Sequence, residues 1–235
     1  MTARPGILAV WNDRNPQIED FYEQWYVHQH LPERVALAGW RFGRRYEALS
    51  TEQLPRFFTY YETASVASMF SAEYVARLNA PTPETIEIMH NWSNMTRTSC
   101  ELAYQQGNLF GAFACVARFV GSQCESTLVR VAAQALATGS RAATLPSAQV
   151  VAAQCWINQS AHRLDTAEAE VRGTQDKEIS AGIVIDCMRE SDALTTANWL
   201  SGALANAGVQ ADAITVYRFL CEYRAETQTA GDDTA

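Results

Sequence analysis

Between Gln17 and Tyr46 the chain reads QIEDFYEQWYVHQHLPERVALAGWRFGRRY, and no other stretch is so dense in side chains that can move a proton or hold an anion. It holds His28 and His30 of only 4 histidines, Trp25 and Trp40 of 6 tryptophans, and Arg34, Arg41, Arg44 and Arg45. An imidazole titrates near neutrality and suits general acid–base work. An arginine fork among aromatic rings can hold a carboxylate, phenolate or enolate oxygen. A tyrosine hydroxyl can donate to a developing oxyanion, and RFFTYYET offers Tyr60 and Tyr61, of which strand alternation lets only one face a given pocket. The candidate catalytic set is His30 as acid or base, with Arg44 and Tyr61 polarising a carbonyl or phenol. Trp25, His28, Trp40, Arg45, Tyr46, Tyr60, Trp92 and Arg97 are the candidate pocket wall. Structural alternatives stand beside each: His30 as a cap on a helix C-terminus, the arginines as edge residues paired with Glu47 or Glu62, the tyrosines as core. Glu33 and Arg34 read as solvent-side pairs, His90 as structural, and His162 as a loop residue.

No cofactor or metal follows from these residues. His28 and His30, at i and i+2 of a helix, point apart, and no carboxylate stands at a recognised metal spacing. The chain has no glycine-rich dinucleotide or phosphate loop and no Gly-x-Ser-x-Gly elbow. The 6 cysteines form no C-x-x-C pair and lie mostly in apolar runs, as reduced core residues do.

The elements that must position these groups follow from periodicity. Residues 5–13 read as a strand. Asn15-Pro16 opens a helix carrying Ile18, Phe21, Tyr22 and Trp25 on one stripe, and Pro32 is expected to end it near His30. Trp40 to Leu49 alternates, with Trp40, Phe42, Arg44, Tyr46 and Ala48 on one face. A third strand over 56–63 is aromatic on both faces, so both are expected to be covered. Helices follow over 65–78 and 84–91, and a fourth strand over 95–105. The order then repeats: strand 109–120, helix 125–137, strand 148–158, a long polar connection over 159–178, strand 179–188, helix 191–207, strand 212–223. Each half reads strand-helix-strand-strand-helix-strand, the split βαβ or ferredoxin-like order. The fold class is therefore α+β: two ferredoxin-like βαββαβ repeats packed sheet to sheet as a pseudo-dimeric α/β barrel. The first repeat, 1–106, carries the site; the second, 107–224, is degenerate; 225–235 is a disordered tail.

At 235 residues, 48% hydrophobic and net charge -8, the chain can bury a substantial core and lacks the basic balance of a nucleic-acid binder. It has no long apolar run for a membrane and no secretory leader, so the expected location is cytoplasmic.

With Trp25-Tyr26-Val27-His28-Gln29-His30-Leu31-Pro32, Ala38-Gly39-Trp40 and Arg44-Arg45-Tyr46 in hand, the first hundred residues resemble the EthD-like family of the dimeric α/β-barrel superfamily, here in tandem form. The family's histidine corresponds to His30, two residues before Pro32. The second half matches by topology only: its first helix, ESTLVRVAAQALATG, lacks the histidine and the proline, so the resemblance implies one site per chain. It also implies a small-molecule enzyme, often without metal or organic cofactor. The expected function is acid–base chemistry (isomerisation, dehydration or a lyase step) on a small oxygenated or aromatic compound, with a homodimer as a possible assembly. Two alternatives are a non-catalytic binding or accessory protein of a catabolic pathway, and an oxygenase of the same superfamily, using haem or flavin or working without them.

Overall fold

The computed structural model describes residues 3–136, 150–159, 164–173 and 176–226. His162 and the tail from 227 onward lie outside the described residues. Eight described strands close into one antiparallel barrel: β1 (Gly6–Arg14), β2 (Trp40–Ala48), β3 (Phe57–Thr63), β4 (Trp92–Gln106), β5 (Phe113–Phe119), β6 (Val150–Asn158), β7 (Ala181–Cys187) and β8 (Ala213–Arg224). Around the barrel they run β1-β3-β2-β8-β5-β7-β6-β4. The first four strands lie as β4-β1-β3-β2 and the last four as β8-β5-β7-β6. The two sets are hydrogen-bonded edge to edge, through β2–β8 and β4–β6, rather than stacked as separate sheets. Closure removes every strand edge that four-stranded units would expose.

Strand alternation sorts the apolar residues into three clusters. Ile7, Ala9, Trp11, Phe58, Tyr60 and Val184 fill the barrel interior. Leu8, Val10, Phe57 and Tyr61 face outward under the helices of the first half. Ile183, Ile185 and Val216 face outward under α5 (Glu125–Gln134) and α7 (Glu190–Asn206). Full burial of a residue such as Phe58 or Leu31 contributes roughly 2 kcal/mol by transfer from water. Cys100, Cys115, Cys155 and Cys187 are buried as expected, Cys221 is half-buried, and Cys124 is exposed.

The first helical region departs from expectation. Asn15 accepts a hydrogen bond from the Gln17 amide (3.0 Å) and Pro16 takes the first helical position. The chain continues through α1 (Glu19–Trp25), a π-helical turn over Tyr26–His30, and α2 (Leu31–Val35). Pro32 does not end the helix. The π turn inserts one extra residue, so Leu31 N–H reaches back to the Tyr26 carbonyl and the proline ring enters near the start of the next segment. The helix expected over 65–78 is split: a 3-10 segment, Val66–Phe70, is separated from α3 (Ala72–Leu78) by extended Ser71, whose hydroxyl caps Tyr74. The α4 helix (Pro83–His90) forms where the sequence places it.

Candidate functional site

His30 sits at the end of the π turn, 8% exposed, facing the outer surface of the first-half sheet. Its ring stacks on Trp25 (4.3 Å between centroids, 28°) and meets Tyr26 (5.1 Å) and Trp92 (6.5 Å) edge-on. Trp25 is fixed from behind, its Nε1–H donating to Thr85 Oγ1 (3.1 Å) on α4. Burial holds the imidazole neutral and pushes its pKa well below 6.5, and the cations Arg34, Arg45 and Arg172 push the same way.

A small cavity adjoins this imidazole, lined by Leu8, Val10, Tyr26, His30, Arg34, Tyr61, Tyr74, Trp92, Met95, Arg97, Glu168 and Arg172. Its volume is about 30 Å³, room for a water or two but not for a ring. Tyr61 reaches it because β2 carries Gly43 opposite: a Cβ there would lie 2.7 Å from the Tyr61 ring and 2.8 Å from Leu31 Cδ2. Arg97 donates to the Tyr74 hydroxyl (2.8 Å). A wider depression of about 350 Å³ opens at one end of the barrel among Pro55, Thr96, Arg118, Ile179 and Asp212, with no histidine or tyrosine among the described residues that line it.

Two of the cavity's charged groups come from a segment that reads as mere connection. Thr166 caps α6 (Ala167–Arg172) by accepting from the Ala169 amide (3.3 Å), and Gly173, at φ +65°, ends it. The helix packs beside α4, and Asn79 Oδ1 receives its Ala167 amide (3.0 Å). From it Glu168, 5% exposed, forms an ion pair with Arg34, 3% exposed. Arg172 pairs with Asp176 through two hydrogen bonds (3.1 and 2.7 Å). Arg34 is therefore not a solvent-side residue. Because the helix runs on through Pro32, Arg34 falls one turn beyond His30 and shares its face.

The remaining candidates divide between two compartments. Arg44, Tyr46 and Tyr60 point into the barrel interior, away from His30. Arg44 donates to the Tyr60 hydroxyl (2.7 Å), pairs with Glu222, and is sandwiched between the rings of Phe42 (4.4 Å) and Phe110 (4.3 Å). Asp186 is buried there too, its Oδ1 facing the Gly111 amide at 3.4 Å. Burial raises its pKa to about 7 although Arg44 and that amide pull it down. The expected trio of His30, Arg44 and Tyr61 is thus split by the sheet; Tyr61 stays with His30, and Arg34 stands where Arg44 was expected. Trp40 does not share the face of Arg44 either. A bulge between Trp40 and Phe42 turns it outward, against Tyr61 (5.3 Å) and Tyr74 (4.9 Å). Arg45 is buried beneath α1, held by Glu23 and the rings of Tyr22, Tyr26 and Phe57. His28 and His90 are exposed. Trp92 and Arg97 do line the cavity. Among the described residues no group of three His, Cys, Asp or Glu side chains could hold a metal, and no helix is long and apolar enough to cross a membrane.

No protein-family model and no curated protein matches the chain. Solved structures do. An anthrone oxidase-like protein aligns over 97% of this chain and 96% of its own, with TM-score 0.59 and 10% identity. A proposed monooxygenase from Fusobacterium nucleatum aligns over 95% and 96%, with TM-score 0.56 and 6% identity. Another from Lactobacillus acidophilus aligns over 94% and 96%, with TM-score 0.51 and 7% identity. At these identities the likeness establishes the fold alone, an eight-stranded antiparallel barrel flanked by helices.

Proposed function

We propose that this chain is a small-molecule enzyme that begins its reaction by removing a proton from an oxygenated ring compound, in the space between the first-half sheet and its helices. The observation that carries the reading is a buried, neutral imidazole beside a cavity that also receives a guanidinium and a tyrosine hydroxyl. A neutral His30 takes the proton from a carbon next to a carbonyl, or from a phenol. The electron pair moves onto the substrate oxygen, and Arg34 with Tyr61 stabilises the resulting enolate or phenolate. Arg44 takes no part, being on the other side of the sheet. We further read the chain as a tandem ferredoxin-like repeat of the EthD-like kind, supported by the matching strand order of its two halves. The substrate enters when α6 lifts, since the cavity as it stands admits no ring.

Deprotonation is shared by isomerisation, elimination and oxygenation of a carbanion. The names of the structural neighbours, monooxygenase and anthrone oxidase-like, favour oxygenation as the second reading. A haem or flavin does not fit these residues: the His30 ring is covered by Trp25 on its face and enclosed by Tyr26 and Trp92, and the adjoining space is about 30 Å³. The test is exchange of α-protons of cyclic and aryl ketones, with and without a carboxylate substituent, in D2O, followed by NMR, with dissolved oxygen recorded in parallel. The wild-type protein should speed exchange, and His30→Gln should lower the rate at least about 100-fold with the near-UV spectrum unchanged. Full exchange by that variant, or none by the wild type across the panel, rejects the proposal. Oxygen uptake that accompanies exchange assigns the second reading.

A further inference from the structure

We infer that the compound bound beside His30 carries an anionic group, a carboxylate for preference, and that Glu168 occupies that group's place until it arrives. The inference rests on the functional reading of the same cavity and adds the class of ligand. Three guanidinium groups, Arg34, Arg97 and Arg172, converge on a cavity of about 30 Å³. Two carboxylates answer them: Glu168 on Arg34, and Asp176 on Arg172. With His30 neutral, the described residues leave one positive charge over in a buried space.

The Arg34 fork itself is half used. Its Nη2 holds Glu168, while Nη1, equally buried, has no hydrogen-bond partner among the described residues. A guanidinium is built for two parallel bonds to one carboxylate. A buried donor left unmatched is costly, so a ligand that engages both nitrogens has an advantage over the resident side chain.

The resident carboxylate also arrives on a detachable element. The six residues of α6 are held to the first half by the Glu168 ion pair, by Ala167 N–H on Asn79, and by packing on α4. Beyond Gly173 the chain is secured separately, because Lys177 exchanges backbone hydrogen bonds with Met95 and Arg97 on β4 (3.1 and 2.9 Å). Release of Glu168 from Arg34 would therefore free α6 without unpinning the strand connection, opening the room that the cavity lacks. Anion binding and cavity opening become one event, in which one carboxylate replaces another on Arg34.

The test uses benzoate, with isosteric neutral benzamide as control, followed by tryptophan fluorescence, since Trp25 and Trp92 flank His30. Benzoate should quench or shift the emission saturably, and benzamide should bind at least 10-fold more weakly. Glu168→Gln removes the competitor and should tighten benzoate at least 10-fold. Should that variant fold poorly, because it leaves Arg34 charged and unpaired, the wild type supplies a second measurement. Hydrogen exchange at the Ala169 amide, which Thr166 caps, should accelerate with benzoate and not with benzamide. An Arg34→Met/Glu168→Met double variant, with both charges removed, should keep the fold and lose the benzoate response. Equal binding of benzoate and benzamide, no tightening in folded Glu168→Gln, or a benzoate response retained in the double variant overturns the inference. None of these readouts needs turnover, so failure of the ketone exchange assay leaves them intact and distinguishable.

Discussion

Asp186 offers a quantitative check on the barrel interior. It is 1% exposed, and its pKa rises from an ordinary 3.8 to about 7 because burial penalises the carboxylate more than Arg44 and the Gly111 amide favour it. Between pH 3.8 and 7 the unfolded chain has lost this proton while the folded chain keeps it. The unfolded state then binds fewer protons, and stability falls as pH rises through that window. Above pH 7 the loss is complete. At about 1.4 kcal/mol per pH unit, a gap of about three units amounts to roughly 4 kcal/mol, an upper bound for a group whose surroundings can relax. Asp186→Asn keeps an oxygen for Gly111 and cannot ionise. Relative to wild type it should be close to neutral at pH 4 and progressively more stable up to pH 8, by as much as about 4 kcal/mol. Urea unfolding followed by tryptophan fluorescence at both pH values measures the difference, and other titrating groups cancel between the two proteins. A stability difference of the same sign and size at pH 4 and pH 8 would refute the assignment of a protonated interior carboxylate.

His30 titrates in the opposite sense. Its folded pKa is depressed, so its contribution is complete above pH 6.5 and is lost as pH falls below that value, at up to about 1.4 kcal/mol per pH unit. Between pH 5.5 and 6.5 it offsets Asp186 in the wild type; in the Asp186→Asn background the acid side should steepen, and adding His30→Gln should flatten it again in the same urea titration. Gly43→Val, placed where the Tyr61 ring and Leu31 lie against bare backbone, should cost about 1–3 kcal/mol and abolish ligand binding near His30. A melting temperature equal to wild type would mean that Tyr61 does not pack there.

The strands and most helices were legible because their apolar residues keep a period of two or of 3.6, and their succession suggested an α+β barrel. What was not legible depended on single irregularities. Pro32 looked like a helix stop, yet a π turn carries the helix past it, and that alone moves Arg34 from the surface to the side of His30. One bulge after Trp40 separates it from Arg44, which strict alternation had put on its face. The pairing of Arg34 with Glu168 spans 134 positions and joins the two halves, so no local pattern announces it. Even so, Thr166 followed by acidic residues and closed by Gly173 was a readable helix signal within the polar connection.

A barrel spanned by one chain has a consequence for how such a site changes over time. Where two identical chains build a barrel, every substitution is installed twice, and a helix recruited to cover one pocket must cover both. Here each position occurs once. Residues 164–173, between β6 and β7, can serve the pocket of the other half while the corresponding connection of the first half, 49–56 between β2 and β3, stays short. The second half is then free to become a regulator of the first, and the asymmetry between them is the raw material for specificity.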